Sequence, residues 1–276
     1  MSYLLFDIGG TNLRLAHSPD GKTLTNIQRY STPKTAAEGV TQIIQYTQNL
    51  SLATPLHVAV GCLPGPMDKD KTMVINAPNI SGWNNYPIKQ ELSRQLKASV
   101  VIENDAALAG VGEAISGAGQ DHDIVVYLTV STGLGGTRIV KGQIDTSSLG
   151  FEPGHHIIHP DGLLCGCGAK GHLEAYASGS GLAKQFGKPA HEIRDPAIWQ
   201  QVAHHLAIGL NNTICFWSPD IIVLGGSLMN SLSVDLLSTE LKNLKPVFPH
   251  LPSIVKATLG DDSGLYGALA YATATP

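Results

Sequence analysis

The sequence predicts an α/β fold, and two observations carry that expectation. Apolar runs of strand length alternate with stretches of helical spacing along most of the chain. Thirty glycines and sixteen prolines in 276 residues require many tight turns, which suits a loop-rich α/β enzyme better than a helical bundle. The length allows one large domain or two medium lobes, each able to bury a core.

Residues 3–6 form an apolar run that ends in Asp7-Ile8-Gly9-Gly10-Thr11-Asn12, after which Leu13, Leu15 and Ala16 resume the pattern: a strand, a glycine turn and a second strand. Thr35 with Glu38 three residues later reads as a capping box, and Val40, Ile43 and Ile44 continue a helix to about residue 50. Residues 56–61 are a buried strand broken by Pro64-Gly65-Pro66. Pro87 suits a first helical position, with Ile88, Leu92 and Leu96 spaced along one face. A strand at 99–102 ends in Glu103-Asn104-Asp105, and an alanine-rich helix follows to about residue 115. The most strand-like run, 124–130, leads straight into Ser131-Thr132-Gly133-Leu134-Gly135-Gly136.

From residue 141 to 173 neither period persists, so something other than regular structure must order that stretch. Ile198, Val202, Leu206, Leu210 and Ile214 mark a helix over about 196–217. A strand at 221–224 ends in Gly225-Gly226-Ser227, a further strand lies near 254–257, and a helix over about 263–272 closes the pattern.

Hydrophobic content of 43% against 14% charged residues describes an ordinary globular chain. The net charge is -4 and no Lys/Arg cluster stands out, which argues against nucleic acid or an anionic membrane as partner. The start MSYLLFDIGG has no basic segment before an apolar one, and no window has the length of a membrane span, so a soluble cytoplasmic protein is expected. Of four cysteines, Cys62, Cys165, Cys167 and Cys215, two are separated by one residue, which favours metal ligation over a disulfide framework.

The turns 7–12, 131–136 and 225–227 share one design: an apolar strand, then glycines with hydroxyl or amide side chains. Successive backbone N–H groups in such turns form anion-binding concavities, to which the hydroxyls of Thr11, Thr132 and Ser227 add donors. Any one of them serves equally well as an ordinary turn; three in one chain point to a nucleotide. Neither G-x-G-x-x-G nor the Walker lysine loop is present, so neither of those arrangements would hold it.

D-I-G-G-T-N-L-R at 7–14, A-P-N-I-S-G-W at 77–83, E-N-D-A at 103–106, S-T-G-L-G-G at 131–136, E-P-G-H at 152–155, C-G-C-G-A-K-G-H-L-E at 165–174, I-V-L-G-G-S at 222–227 and D-D-S-G-L-Y-G-A at 261–268 occur in the order of the ROK family of sugar kinases and repressors, which the chain resembles over nearly its whole length. The resemblance implies a two-lobed actin/hexokinase-like ATPase (ribonuclease H-like) fold with a central cleft where ATP and sugar meet. The expected division is a smaller lobe of residues 1–104 plus 264–276 and a larger lobe of 105–263 carrying a zinc loop. The first phosphate turn begins at Asp7, which leaves no room for the helix-turn-helix of the family's repressors and favours the kinase branch.

The resemblance also implies roles. Asp105 would be the general base, although from position alone it also reads as a helix cap. Asn79, Asn104, Glu152, His155 and Glu174 would bind sugar hydroxyls, and Asp7, Gly9, Gly10, Thr11, Asn12, Thr132, Gly133, Gly225 and Gly226 would hold ATP with Mg²⁺. Asp7 would lie near the metal–phosphate group. Arg14 is assigned no role, a solvated surface arginine being one reading of it.

Cys165, Cys167 and His172 place three metal ligands within eight residues, and His155 lies ten residues earlier, with His156 and His159 as competitors for the fourth position. Two cysteines and two histidines suit structural zinc. The ROK pattern has a cysteine where this chain has His172, so the expected set is His155, Cys165, Cys167 and His172. Ala107 and Thr137 also depart from common family residues, asparagine and glycine respectively. The expected activity is phosphorylation of a hexose at the 6-hydroxyl, as by glucokinase. An N-acetylglucosamine or N-acetylmannosamine kinase is the alternative enzyme, and a non-catalytic sugar sensor the alternative of another class. The family also suggests a homodimer.

Overall fold

The computed structural model describes residues 1–274. The chain begins β1 (Ser2–Ile8), β2 (Asn12–Ser18), β3 (Thr25–Ser31), α1 (Ala36–Gln48), β4 (Leu56–Leu63), α2 (Ile88–Leu96), β5 (Ser99–Asn104) and α3 (Asp105–Ser116). It continues through β6 (Ile124–Val130), β7 (Leu134–Val140), β8 (Gln143–Ile144), α4 (Glu174–Ala177), α5 (Gly179–Phe186), α6 (Pro196–Trp217), β9 (Ile221–Gly225), α7 (Val234–Asn243) and β10 (Ser253–Lys256). It closes with α8 (Ser263–Ala274).

Two compact units result. The first holds residues 1–116, 148–150 and the segment from 261 onward; the second holds 117–147 and 151–260. The break therefore falls after Ser116, whereas the sequence places it after Asn104. The reason is the crossing of α3 with α8, which is close enough that a Cβ on Gly267 would lie 1.7 Å from the Leu108 carbonyl oxygen. Helices in such close contact interlock, so α3 is held with α8 in the first unit.

The first unit is built on a five-stranded sheet in the order β3-β2-β1-β4-β5. β1 pairs antiparallel with β2 and parallel with β4, and β4 pairs parallel with β5. Its core joins Leu4, Phe6, Leu13 and Leu15 of the sheet to Val40 and Ile43 of α1 and to the buried Trp83. α1 starts where Thr35 and Glu38 each bond the other's backbone N–H, closing the expected capping box.

The second unit repeats this topology. Its sheet order is β10-β9-β6-β7-β8, with β6–β7 and β7–β8 antiparallel and β6–β9 and β9–β10 parallel. Each unit thus opens with an antiparallel pair joined by a glycine turn and adds two parallel strands on the other side. Val126, Leu128, Ile222 and Leu224 of this sheet pack on Leu206, Leu210 and Ile214 of α6. Residues 145–173 contain little regular structure beyond a 3-10 turn at Pro153–His155 and the isolated bridges Ile157↔His172 and Leu164↔Lys170. Among the described residues no helix is long and apolar enough to cross a membrane.

Candidate active site

In the first unit the parallel strands β1, β4 and β5 bring their carboxyl ends side by side. The register sets Asp7 opposite Cys62 and Cys62 opposite Glu103, with Asn104 and Asp105 following directly. Asp7 is buried, with Oδ2 accepting from Arg14 Nη1 at 3.1 Å and Oδ1 from the Cys62 thiol at 3.2 Å. Burial raises the Asp7 pKa above the ordinary carboxylate value; the Arg14 charge and the thiol bond oppose that rise. The Cys62 thiol is pushed well up, first by burial and then by the carboxylates of Asp7 and Asp105. Arg14 is no solvated surface residue: its side chain is 13% exposed, and Nη2 lies 3.5 Å from Asp261.

The adjoining turn is closed by the Gly9 N–H donating to the Asn12 carbonyl at 2.8 Å and by the Thr32 hydroxyl donating to the Gly9 carbonyl. Gly10, Thr11 and Asn12 remain exposed at its tip, and exposed Asn79 lies against Gly10. Asn104 caps α3, its Oδ1 accepting from the Ala107 N–H at 3.1 Å while Nδ2 donates to the Gly65 carbonyl at 3.3 Å. Half-buried Asp105 accepts from the Ala106 N–H at 2.8 Å. Buried Glu103 accepts from the Asn104 N–H at 3.0 Å and pairs with Lys71, a link with no motif to mark it in the sequence.

In the second unit β6 and β9 are parallel neighbours, so the turns that follow them also lie together, and the hydroxyls of Ser131 and Ser227 are 3.1 Å apart. Gly226 adopts a positive φ of 92° and passes close to Val130, a path that only glycine follows without strain. Thr132 and Ser227 line a cavity of about 600 Å³ whose other walls include Gly179, Lys188, His191 and Trp199. Lys188 and His191 went unnoticed in the sequence because the loop that carries them has no periodicity and no motif, and Trp199 because it lies in the first turn of α6 off the apolar spacing that marks that helix.

Glu174 and the 152–155 segment meet Leu134 at the far end of the Ser131–Leu134 turn. Gly154 rests so closely on it that a Cβ would lie 2.1 Å from the Leu134 carbonyl oxygen. Glu174 Oε2 accepts from the Leu134 N–H at 3.0 Å, and exposed Glu152 has one oxygen 4.0 Å from His155 Nε2. Burial raises the Glu152 pKa, with Glu174 adding to the rise and His155 opposing it.

His155, Cys165, Cys167 and His172 form one cluster whose ligand atoms all lie within 4.8 Å of one another. The His155 and His172 Nδ1 atoms are 3.2 Å apart, Cys167 Sγ is 3.3 Å from His172 Nδ1, and Cys165 Sγ is 3.9 Å from His155 Nδ1. Tetrahedral zinc with nitrogen and sulfur ligands needs donor atoms about 3.3–3.8 Å apart, so donor chemistry and spacing both fit. His159 turns away to Tyr176 and His205, and His156 buries Nε2 without a hydrogen bond, which leaves His155 as the fourth member. Its Nδ1 faces the cluster while Nε2 faces Glu152, so one ring can serve a metal and a substrate together.

Two units of one topology, each opening on a glycine turn, define an actin/hexokinase-like α/β protein. The model of the ROK family matches residues 3–275, and the chain belongs to that family. It is 29% identical to the glucokinase of Thermotoga maritima, over 95% of this chain and 94% of that one. It is 30% identical to the N-acetyl-D-glucosamine kinase of Citrobacter koseri, over 96% and 97%. Among solved structures, the ROK family glucokinase from Streptomyces griseus in complex with glucose and AMPPNP superposes with a TM-score of 0.80 at 27% identity, covering 98% of this chain and 99% of that one.

Proposed function

We propose that this protein is an ATP-dependent hexose kinase of the glucokinase type, transferring the γ-phosphoryl group to the 6-hydroxyl of its sugar. The observation that carries the reading is Asp105, a half-buried carboxylate that follows the carboxyl end of β5 beside Asn104. In that role it accepts the proton of the attacking hydroxyl. Asn79 and Asn104, with Glu152, His155 and Glu174, bind sugar hydroxyls; a hydroxyl donates and accepts, and this mixture of amides, carboxylates and imidazole answers both needs. The bonds Asn104 makes to Ala107 and Gly65 use one acceptor and one donor site of its amide, and leave one of each.

The nucleotide reading is supported by the cavity lined by Thr132 and Ser227 and by the AMPPNP held in the Streptomyces griseus structure. Gly10, Thr11 and Asn12, with Gly133, Gly225 and Gly226, supply the backbone N–H groups for phosphate oxygens, and Gly9, whose N–H is held by the Asn12 carbonyl, closes the turn that presents them. Mg²⁺ bound with the nucleotide would neutralise phosphate charge. Asp7 is the carboxylate suited to hold it, since each of its oxygens keeps a lone pair beyond the bonds to Arg14 and Cys62. Zinc held by His155, Cys165, Cys167 and His172 would be structural, ordering a segment that has little regular structure of its own. A reaction that consumes ATP agrees with the cytoplasmic location expected from the sequence.

A second reading, an N-acetylhexosamine kinase, draws on the near-equal identity to the Citrobacter koseri enzyme. The same residues would serve it. The test of the role assigned to Asp105 is Asp105→Asn: calorimetry with glucose should give an affinity within a few-fold of the unmodified protein, while sugar-dependent ADP formation falls by about two to four orders of magnitude. Substantial turnover in the variant would remove Asp105 from the role of base.

A further inference from the structure

Glu174 stands between two groups of residues that the proposed reaction uses for different ends. One carboxylate oxygen, Oε1, lies 3.6 Å from the Cys165 thiol on the metal-loop side. The other, Oε2, accepts from the Leu134 backbone N–H at 3.0 Å, within the turn that opens the nucleotide cavity. Leu134 is 3% exposed, so an N–H stripped of this acceptor has little access to water. The segment that follows Glu174 grips the same turn through backbone bonds. The Gly179 N–H donates to the Ser131 carbonyl at 2.7 Å and the Ser180 N–H to the Thr132 carbonyl at 2.9 Å.

We propose that Glu174 is a positioning residue for the nucleotide: its Oε2 fixes the Ser131–Leu134 turn in the shape that receives phosphate, independently of any sugar contact it makes. The inference rests on the kinase reading and deepens it. A carboxylate that contacted only sugar would leave nucleotide affinity unchanged when no sugar is present. A carboxylate that holds the turn controls nucleotide affinity with or without sugar. It also couples the two ligands, because whatever a sugar does to this side chain reaches the phosphate turn through one hydrogen bond.

The test is the affinity of the full-length, metal-loaded protein for ADP with Mg²⁺, measured by calorimetry in the absence of sugar, for Glu174→Ala, Glu174→Asp and Glu174→Gln. The Ala variant should bind about tenfold more weakly, the scale expected when a buried donor loses its partner. The Asp variant keeps the charge but is one methylene too short to reach Leu134, and should weaken similarly. The Gln variant loses the charge but keeps an oxygen that accepts the same N–H, and should stay within about twofold. Should the Ala variant fail to fold, the contrast between Asp and Gln decides alone. ADP binding by the Asp variant equal to that of the unmodified protein overturns the inference and leaves the kinase reading standing. Failure of the unmodified protein to bind ADP overturns both.

Discussion

Replacing Arg14 with methionine is expected to destabilise the first unit in a pH-dependent way. The guanidinium lies 3.1 Å from Asp7, and the two side chains are 13% and 11% exposed. Removing one partner of a buried ion pair costs about 3–5 kcal/mol. The Cys62 bond to Asp7 survives the change, and methionine keeps most of the apolar stem, so the cost falls below that range, at about 2–3 kcal/mol near pH 8. For a chain of this size that corresponds to a fall in Tm of roughly 5–10 °C.

The sign of the pH dependence follows from Asp7. Burial already raises its folded pKa above the ordinary value, against the opposing Arg14 charge. An acid bound to its proton more tightly when folded loses stability as pH rises from its unfolded pKa through its folded one, and the penalty is complete above that. Without Arg14 the folded pKa climbs further and the window widens upward. The variant's deficit, followed by thermal unfolding, should therefore be larger near pH 8 than near pH 5. Asp7→Asn in the Arg14→Met background should recover part of it near pH 8. A variant within about 0.5 kcal/mol of the parent, the range of surface substitutions, would refute the reasoning, as would a deficit greater at the lower pH.

Two further outcomes are expected. Gly267→Ala must move α3 from α8, because its Cβ would lie 1.7 Å from the Leu108 carbonyl oxygen; the loss of about 2–3 kcal/mol should exceed the roughly 1 kcal/mol that alanine gains in helix propensity, and unchanged or raised thermal stability would contradict the crossing. The purified protein should contain one zinc per chain by elemental analysis, and cobalt substitution should give thiolate-to-metal absorption that Cys167→Ser diminishes; full metal content in a Cys165→Ala, Cys167→Ala double variant would place the metal elsewhere.

Much of the fold was legible because apolar period and turn chemistry agree locally. The capping box at Thr35, the strand at 124–130 and the long helix α6 all stand where their residues suggest. β3 escaped notice because Thr25–Ser31 is largely exposed and carries no apolar alternation. β7 was hidden by Gly135 and Gly136, which read as turn residues yet lie in the ladder with β6. α7 was not foreseen although Val234, Leu237 and Leu241 stand at helical spacing.

The candidate site divides in the same way. Motif residues announced themselves by type and spacing, and the segments at 7–12 and 103–105 in the first unit, and at 131–136 and 225–227 in the second, lie at the carboxyl ends of parallel strands of one sheet. What sequence could not give was pairing across the sheet and along the loops. Arg14 is bound to Asp7 because β1 and β2 are antiparallel neighbours, with those two residues directly opposite. His155 prevails over His156 and His159 only because of which way each ring turns from an irregular loop. The turns at 7–12 and 131–136 share a residue design in the sequence, but that each joins the antiparallel pair opening a sheet of the same strand order appears only in the structure.

The measurement that tests the central claim most directly is ADP formation from ATP and Mg²⁺ by the metal-loaded protein, across glucose, mannose, fructose, allose, N-acetylglucosamine and N-acetylmannosamine. Sugar-dependent release that is strongest with glucose is the predicted result, and strongest release with an N-acetylated sugar would transfer the assignment to that alternative. No release with any of the six, from folded protein that still binds sugar, would contradict the kinase reading and leave a sugar-sensing protein in its place.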